Sequence, residues 1–342
     1  MFKRQVENWI DGWMIYQRNS EPPDTYKKWT AISLIASALR RKCVLRWGTL
    51  DFYPNMYIVL VGPSGKCKKG TAMTPGLKML SKLGIKLAAE STTREALCRD
   101  LKNSTESKVD LDGLAEVHSS LTIYSQELTV FLGYGNLQLM SDLTDWYDCR
   151  DRWTYRTKHQ GTDEIEGVWV NLIGATTPAL IQSTLPMDAI GGGLTSRMIF
   201  VYEEKKGKTV VLPFLDEEEK MMEEKLLEDL RIISNLRGEF KVTDSFIDKW
   251  VVWYPYQEKH PPFDDTRLAP YLERRGNHVL KLSMIVSAAK RNDMLITHED
   301  LEDAINLLME VEKKMPNTFA GLGRGKSADV TNLIMVEIAT RG

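Results

Sequence analysis

Apolar side chains recur every three or four positions near both ends of the chain. This spacing predicts two helices in the N-terminal region, at about 4–19 and 25–42, separated by the helix-breaking sequence NSEPPD. It also predicts helices at about 216–230, 270–290 and 298–314. We therefore expect both terminal regions to be mainly helical.

The middle of the chain instead carries short, continuous apolar runs of the length of a β-strand. Such runs lie at 56–61, 85–89, 121–124, 168–173 and 198–202, with helical segments between them. A strand that is buried on both faces has a continuous apolar sequence, and alternation of strands with helices is typical of a parallel sheet. The pattern predicts an α/β fold with a largely parallel sheet.

These patterns predict four segments along the chain. An N-terminal helical module spans 1–50, an α/β core spans 51–215 and a C-terminal helical lid spans 216–315. Residues 316–342 combine a glycine-containing linker with renewed apolar periodicity, which indicates the start of a further domain.

Composition limits which kinds of binding surface, membrane segment and cysteine site the chain can contain. The 342 residues carry 45 Lys and Arg against 47 Asp and Glu, so a DNA-binding surface has to be a local patch or be concentrated by oligomer symmetry. The longest apolar runs are too short for a membrane-spanning helix. Because no CxxC spacing occurs, we expect neither a disulfide scaffold nor a zinc ribbon, and a reducing cytoplasmic environment. The four cysteines are Cys43, Cys67, Cys98 and Cys149.

A glycine-rich sequence, GPSGKCKKGT, lies between the first predicted strand and a helix. In this context backbone N–H groups and a helix N-terminus bind phosphate. Against the consensus GxxxxGK[ST], Cys67 replaces the second glycine and Lys68 takes the lysine position. One extra loop residue would instead make Lys69 the phosphate lysine and Thr71 the hydroxyl for Mg²⁺, and we prefer this register. An ordinary glycine-rich turn is the alternative. The predicted ATP-binding residues are Gly62, Pro63, Ser64, Gly65, Lys68, Lys69, Gly70 and Thr71.

Three later strands end in polar residues that suit a nucleotide site. LTIYSQE places Glu127 where it can orient water as a general base and contribute to Mg²⁺ binding, although Gln126 replaces the usual aspartate. Thr177, in GATTP, can act as a polar sensor of the γ-phosphate. Arg197, in GGGLTSR, either stabilises transition-state charge on a neighbouring subunit's nucleotide or makes a structural pair.

Two β-rich arms at 153–158 and 164–173 flank the sequence HQGTD, which predicts a hairpin. The second arm is expected to run straight into the strand that ends at GATTP. Lys158 and His159 lie at the hairpin tip.

Taken in order, NMYIVLVGPSG…KKGTA, TIYSQELTVFL, YRTKHQGTDEI…NLIGATTP and GGGLTSRMIFVY resemble the helicase-like ATPase half of phage and plasmid primase–helicase proteins. The resemblance covers about 25–315 and implies a P-loop AAA+-like core similar to that of superfamily III helicases. It implies Glu127 as catalytic residue, Arg197 as arginine finger, and a hairpin that grips single-stranded DNA. It further implies a second sensor at one of three lid residues: Arg274, Arg275 or Lys281.

The resemblance implies an ATP-dependent, Mg²⁺-dependent helicase or translocase that forms a homo-oligomeric, hexameric ring on single-stranded or forked DNA. Its expected setting is phage-type replication in the bacterial cytoplasm, with a separate primase or polymerase as partner and no membrane contact. Gln126 favours an alternative: a nucleotide-stabilised DNA-binding oligomer or loader with weak or lost ATP hydrolysis.

Overall fold

The computed structural model describes residues 3–109, 115–157, 161–185 and 192–320. Within these ranges its α-helices are α1 (Trp9–Tyr16), α2 (Asp24–Leu39), α3 (Lys69–Lys82), α4 (Arg94–Asn103), α5 (Leu128–Leu132), α6 (Leu137–Tyr147), α7 (Pro178–Thr184), α8 (Glu217–Ile233), α9 (Asp244–Lys259), α10 (Ala269–Lys290) and α11 (His298–Glu312). Its strands are β1 (Cys43–Trp47), β2 (Leu50–Phe52), β3 (Tyr57–Val61), β4 (Thr105–Val109), β5 (Ala115–Ser125), β6 (Arg152–Thr157), β7 (Gly161–Glu166), β8 (Val168–Thr176), β9 (Met198–Tyr202), β10 (Gly238–Glu239), β11 (Lys241–Val242) and β12 (Leu295–Ile296).

A five-stranded sheet with the order β4-β5-β8-β3-β9 forms the centre of the molecule. Strands β5, β8, β3 and β9 are mutually parallel, and only β4 runs antiparallel to its neighbour β5. Both β3 and β8 are buried along their whole length, as their continuous apolar sequences require. The predicted α/β fold with a largely parallel sheet is confirmed.

One polar side chain inside this core links α2 to the sheet. The side-chain amide of Asn171, on β8, donates to the hydroxyl oxygens of Ser33 and Ser37, each at 3.0 Å. Its side-chain oxygen accepts from the backbone amide of Met56 at 2.9 Å. Because the donors and the acceptor of this buried group are satisfied, the asparagine fixes the position of α2 without leaving an unpaired polar atom.

The helices from the two ends of the chain pack against each other. Helix α1 contacts α8, and the indole of Trp9 donates to the carbonyl of Leu226 at 2.9 Å. Trp9, Trp13 and Trp29 are all completely buried and belong to the hydrophobic core. Strand β1 also joins the two regions, because it pairs with β2 on one side and with β10 on the other.

The prediction of a strand at 85–89 is wrong. Only Leu87 forms a bridge, to Thr122, and Thr122 exchanges backbone hydrogen bonds with Lys86 and Ala88. The antiparallel strand β4 already pairs with the first part of β5, from Ala115 to Ser119, so only a short stretch of that edge remains available.

Two further predicted boundaries are corrected. The first helix begins at Trp9 rather than at about residue 4, because Asn8 caps it and the Asp229 carboxylate binds the preceding backbone amides. The predicted hairpin is present as β6 paired with β7, but Gly167, at φ +57°, separates β7 from β8. Its tip residues, Lys158 and His159, lie outside the described residues.

Two expectations from composition can be compared with the described part of the chain. No helix there is long and apolar enough to cross a membrane. All four cysteines are described, and each is a buried thiol that is not part of a disulfide.

Candidate phosphate-binding site

The glycine-rich sequence forms a tight loop between the carboxyl end of β3 and the first turn of α3. A Cβ atom at Gly62 would lie 2.5 Å from the carbonyl oxygen of Glu203 and 2.7 Å from the hydroxyl oxygen of Tyr26. Only glycine fits at this position, because the first of these atoms belongs to the backbone of an adjacent segment. The backbone at Gly62 is therefore confined between these neighbouring segments where the chain leaves β3.

Cys67 is fully buried beneath the loop and explains one departure from the consensus sequence. Its thiol donates to the carbonyl oxygen of Glu203 at 3.1 Å, beside the hydroxyl of Tyr26, which donates to the carbonyl of Val61 at 2.6 Å. Burial raises the pKa of the Cys67 thiol, so the thiol remains protonated and available as a donor. Cys67 thus connects the loop to the end of β9.

The backbone distinguishes the two possible lysine registers. Lys68 has φ 57° and ψ 38°, in the left-handed region that favours the consensus glycine before the lysine. Its ammonium group lies 3.2 Å from the carboxylate of Glu21, outside the loop. Lys69 is the first residue of α3, and its ammonium group donates to the carbonyl oxygen of Gly62 at 2.6 Å. The geometry favours Lys69 as the lysine that faces a phosphate.

Lys69 is held over the loop without a carboxylate partner in the described part of the chain. Its hydrogen bonds go to the carbonyl oxygens of Gly62 and Pro63, at 2.6 and 3.4 Å. Burial lowers the pKa of Lys69, whereas Cys67 and Glu127 act in the opposite direction. A phosphate is a stronger acceptor than these carbonyls, so a hydrogen bond to a bound phosphate would stabilise the charged ammonium group.

Two further positions differ from the consensus, and they contact each other: Gln126 replaces the usual aspartate, and Gly70 replaces the serine or threonine after the lysine. A Cβ atom at Gly70 would lie 3.0 Å from the side-chain oxygen of Gln126, whose amide nitrogen donates to the hydroxyl of Thr74 at 3.3 Å. The glutamine side chain thus packs on the helix start where a serine or threonine would place its hydroxyl group. Thr71 is exposed one position later, and Glu127 is exposed at the start of α5.

The strand between these two motifs ends in the predicted sensor. Thr176 pairs with Val61 in the sheet, and its carbonyl accepts from the amide of Gly62 at 3.3 Å. The hydroxyl oxygen of Thr177 accepts from the amide of Leu180 at 3.3 Å and caps α7. This cap uses a lone pair, so the hydroxyl proton of Thr177 can still be donated to a ligand.

Arg197 lies at the opposite edge of the sheet. It precedes β9, whose first residue pairs with Tyr57, so the length of β3, about 13 Å at ~3.3 Å per residue, separates it from its own loop. Its side chain is buried and donates to the Asp148 carboxylate, at 3.2 Å from Nε, and to the carbonyl of Gly193 at 2.7 Å. The arginine makes the structural pair anticipated as one alternative, and within one chain it does not reach the loop.

Of the three residues implied as a second sensor, two make hydrogen bonds elsewhere. Arg275 makes two hydrogen bonds, of 2.7 and 2.9 Å, to the buried carboxylate of Glu312. Lys281 donates to the side-chain oxygen of Asn55 at 2.6 Å. The third, Arg274, lies 3.9 Å from Asp148, in the same region as Arg197.

Sequence reasoning missed the residues that fix the loop from a distance. Tyr26 and Glu203 contact the space around Gly62, and the Glu21 carboxylate binds the ammonium group of Lys68 outside the loop. Lys206 and Lys68 together lower the pKa of the Glu21 carboxyl, so the carboxylate stays charged. Nothing in the local sequence indicates these contacts, because they join segments that are far apart along the chain.

No known protein family matches this sequence, and a search of curated proteins also finds no match. Within the described ranges no group of three or more His, Cys, Asp or Glu side chains is arranged to hold a metal ion. Any Mg²⁺ would depend mainly on phosphate oxygens and water, as is common for this ion.

Proposed function

We propose that this chain binds ATP at residues 62–71 and uses its hydrolysis to move on single-stranded DNA as a ring-forming helicase or translocase. The observation that carries the proposal is the position of Lys69. Its ammonium group lies over the glycine-rich loop at the start of α3, hydrogen-bonded only to backbone carbonyls among the described residues. A strand, a tight loop and a helix N-terminus meet here, which is the arrangement that binds phosphate groups.

The residues around the loop fit a nucleotide better than they fit an isolated metal ion. Backbone N–H groups of the loop and of the first turn of α3 would hold the phosphates, and Lys69 would compensate their charge. Mg²⁺ bound with ATP would neutralise developing charge on the phosphates. Thr71 and Glu127 are the side chains available to it, and Gln126 offers a neutral oxygen in place of an aspartate.

Glu127 is the residue proposed to orient the attacking water. It follows β5, one strand away from β8 and two from β3, and its negative charge acts on Lys69. Its side chain is exposed and so accessible to water at the carboxyl ends of the strands. Thr177 would donate its free hydroxyl proton to the γ-phosphate or to the water.

Action on DNA rests on the order of the sequence motifs and on the β6–β7 hairpin. In a ring, Lys158 and His159 of each subunit would form a positive channel around a single strand, although each chain is net negative. Because Arg197 is separated from its own loop, any role in hydrolysis would be at the nucleotide of a neighbouring subunit.

A second candidate function is favoured by the packing of Gln126 on Gly70. The two residues remove both the metal-associated carboxylate and the hydroxyl that follows the lysine in the consensus. A chain with this site could retain ATP as a stabiliser of a DNA-binding oligomer and hydrolyse it slowly or not at all.

Substituting Glu127→Gln separates the two candidates. We expect a loss of about 10²–10⁴-fold in DNA-stimulated ATP turnover, with ATP and DNA binding retained, because general base catalysis contributes about that factor. Glu224→Gln, at an exposed position on α8, is the matched control and should leave turnover unchanged. ATP and DNA binding without turnover in the wild-type protein would favour the second candidate. Turnover that survives Glu127→Gln would remove Glu127 from the mechanism.

A further inference from the structure

A cavity of about 270 Å³ opens at the amino edge of the sheet, far from the phosphate loop. It lies between the segment that contains β2, the end of α6 and the middle of α10. The side chains that matter here are Tyr53, Tyr147, Asp148, Arg274, Asn277 and Lys281.

Lys281 is a buried cation at the base of this cavity. Only 4% of its surface is exposed. Its ammonium group donates to the side-chain oxygen of Asn55 at 2.6 Å and lies 4.0 Å from the ring centroid of Tyr147. No carboxylate in the described part of the chain is within salt-bridge distance of it, and burial lowers the pKa of Lys281 to about 8. A buried ammonium group without an anionic partner is costly, and an anion in the cavity would remove that cost.

Arg274 adds a second cation with unused donors. Its side chain is 31% exposed, and the nearest carboxylate among the described residues is that of Asp148 at 3.9 Å, beyond hydrogen-bond distance. That carboxylate is already bound by Arg197. Asp51 also lines the cavity, and both Asp51 and Asp148 are exposed. Three cations (Arg197, Arg274 and Lys281) thus lie near two exposed carboxylates.

We propose that this cavity is a second binding site, for the phosphate group of a nucleotide or of an oligonucleotide backbone. Arg274 and Lys281 would face the phosphate, and the amide of Asn277 would supply a further donor. A guanidinium group matches the geometry of a phosphate, because two parallel N–H groups can bind two of its oxygens. Tyr53 and Tyr147 also line the cavity and would contact an organic group attached to the phosphate. This inference is independent of ATP binding at residues 62–71.

The test uses the full chain carrying Lys69→Ala, so that the phosphate loop contributes little. Equilibrium binding is measured by calorimetry with three probes: inorganic phosphate, dTMP and an oligo(dT) strand. We expect at least one probe to bind and Arg274→Ala to weaken its binding about 10-fold or more. The matched control is Arg231→Ala, which removes an exposed arginine on α8 that pairs with Glu228. It should leave binding unchanged. Tighter binding of dTMP identifies a free nucleotide as the source, and tighter binding of oligo(dT) identifies the DNA backbone.

Two results would overturn the proposal. One is that none of the three probes binds the Lys69→Ala protein. The other is that Arg274→Ala and Arg231→Ala bind the probes equally well. Lys281→Met tests the base of the cavity, and because it alters a buried side chain its folding is checked by circular dichroism. If that variant does not fold, Asn277→Ala takes its place and should also weaken binding. Failure of ATP binding at the loop would leave this test unaffected.

Discussion

Buried or half-buried cations near the two ends of the parallel strands differ in their hydrogen-bond partners. At the carboxyl edge, Lys69 extends over a glycine-rich loop and contacts only carbonyl oxygens among the described residues. At the amino edge and on the adjoining helix α10, Arg197 and Arg275 are buried against the carboxylates of Asp148 and Glu312. Lys69 is thus available for a ligand, whereas Arg197 and Arg275 hold the fold together. Arg274 and Lys281, which line the cavity near the amino edge, differ from these two arginines because neither donates a hydrogen bond to a carboxylate of the described residues.

This difference distinguishes Lys69 from Arg275, although the sequence motifs implied a nucleotide contact for both. A lysine paired only with backbone carbonyls can exchange them for a phosphate at little cost. A buried arginine in a two-bond pair with a carboxylate cannot leave it without exposing an uncompensated charge. The contrast supports a ligand-binding role for Lys69 and a structural role for Arg275.

The largest effect on stability is expected from Glu312→Ala, which tests whether the buried pair of Arg275 with Glu312 stabilises the fold. The substitution leaves the buried guanidinium of Arg275 and the hydroxyl of Tyr271 without their acceptor. We expect a loss of about 3–5 kcal/mol in the free energy of unfolding. Urea denaturation measures it, with Glu310→Ala as control, because the surface pair of Glu310 with Lys28 contributes at most about 1 kcal/mol. Equal effects of the two substitutions would contradict a structural role for the buried pair.

Gly62→Ala tests the rigidity of the carboxyl edge. The added methyl group would overlap the Glu203 carbonyl, so we expect destabilisation by about 3 kcal/mol together with loss of ATP binding. Gly65→Ala is the matched control, since it adds a methyl group in open space at φ +71° and should cost only about 1 kcal/mol. Thermal unfolding and ATP titration of both variants measure these effects. Equal effects of the two substitutions would contradict a specific steric constraint at Gly62.

A smaller, pH-dependent effect is expected at the amino edge. His278 is buried, and burial lowers its pKa to about 3. Because histidine in the unfolded chain titrates near 6.5, the unfolded state binds more protons between these values, and stability falls as the pH falls. From pH 6.5 to 5 this histidine accounts for about 2 kcal/mol. His278→Gln should flatten the profile measured by urea denaturation, whereas His260→Gln, at an exposed position, should not. An unchanged slope in His278→Gln would show that the histidine is not buried in its neutral form.

Much of the sheet could be predicted from sequence because its strands are buried on both faces. Continuous apolar runs predicted the strands at 56–61 and 198–202 to within one residue. They also predicted the start of the strand at 168–173, which extends to Thr176. The run at 85–89 has the same local pattern and is not a strand, since pairing depends on whether β5 has a free edge there. Short strands such as β1 and β10 carry no such pattern, because only the packing of distant segments makes them pair.

The position of the candidate site was predictable from sequence, and so in part was its register. The sequence favours Lys69, which Gly70 and Thr71 follow, but leaves the adjacent Lys68 as an alternative. What distinguishes them is the left-handed backbone at Lys68 and the carboxylate of Glu21, which comes from a distant segment. Arg197 illustrates the opposite case, because its motif position was clear and its buried pair with Asp148 could not be predicted from local spacing.

The most direct test of the account is ATP affinity in two single variants. Lys69→Ala removes the ammonium group over the loop, and Lys68→Ala removes the one paired with Glu21. Since a hydrogen bond to a charged group contributes about 1.5–3 kcal/mol, Lys69→Ala should weaken equilibrium ATP binding about 10–100-fold. Lys68→Ala should change it by less than about 3-fold. Equal losses in both variants, or a greater loss in Lys68→Ala, would contradict the assignment of Lys69 to the phosphate.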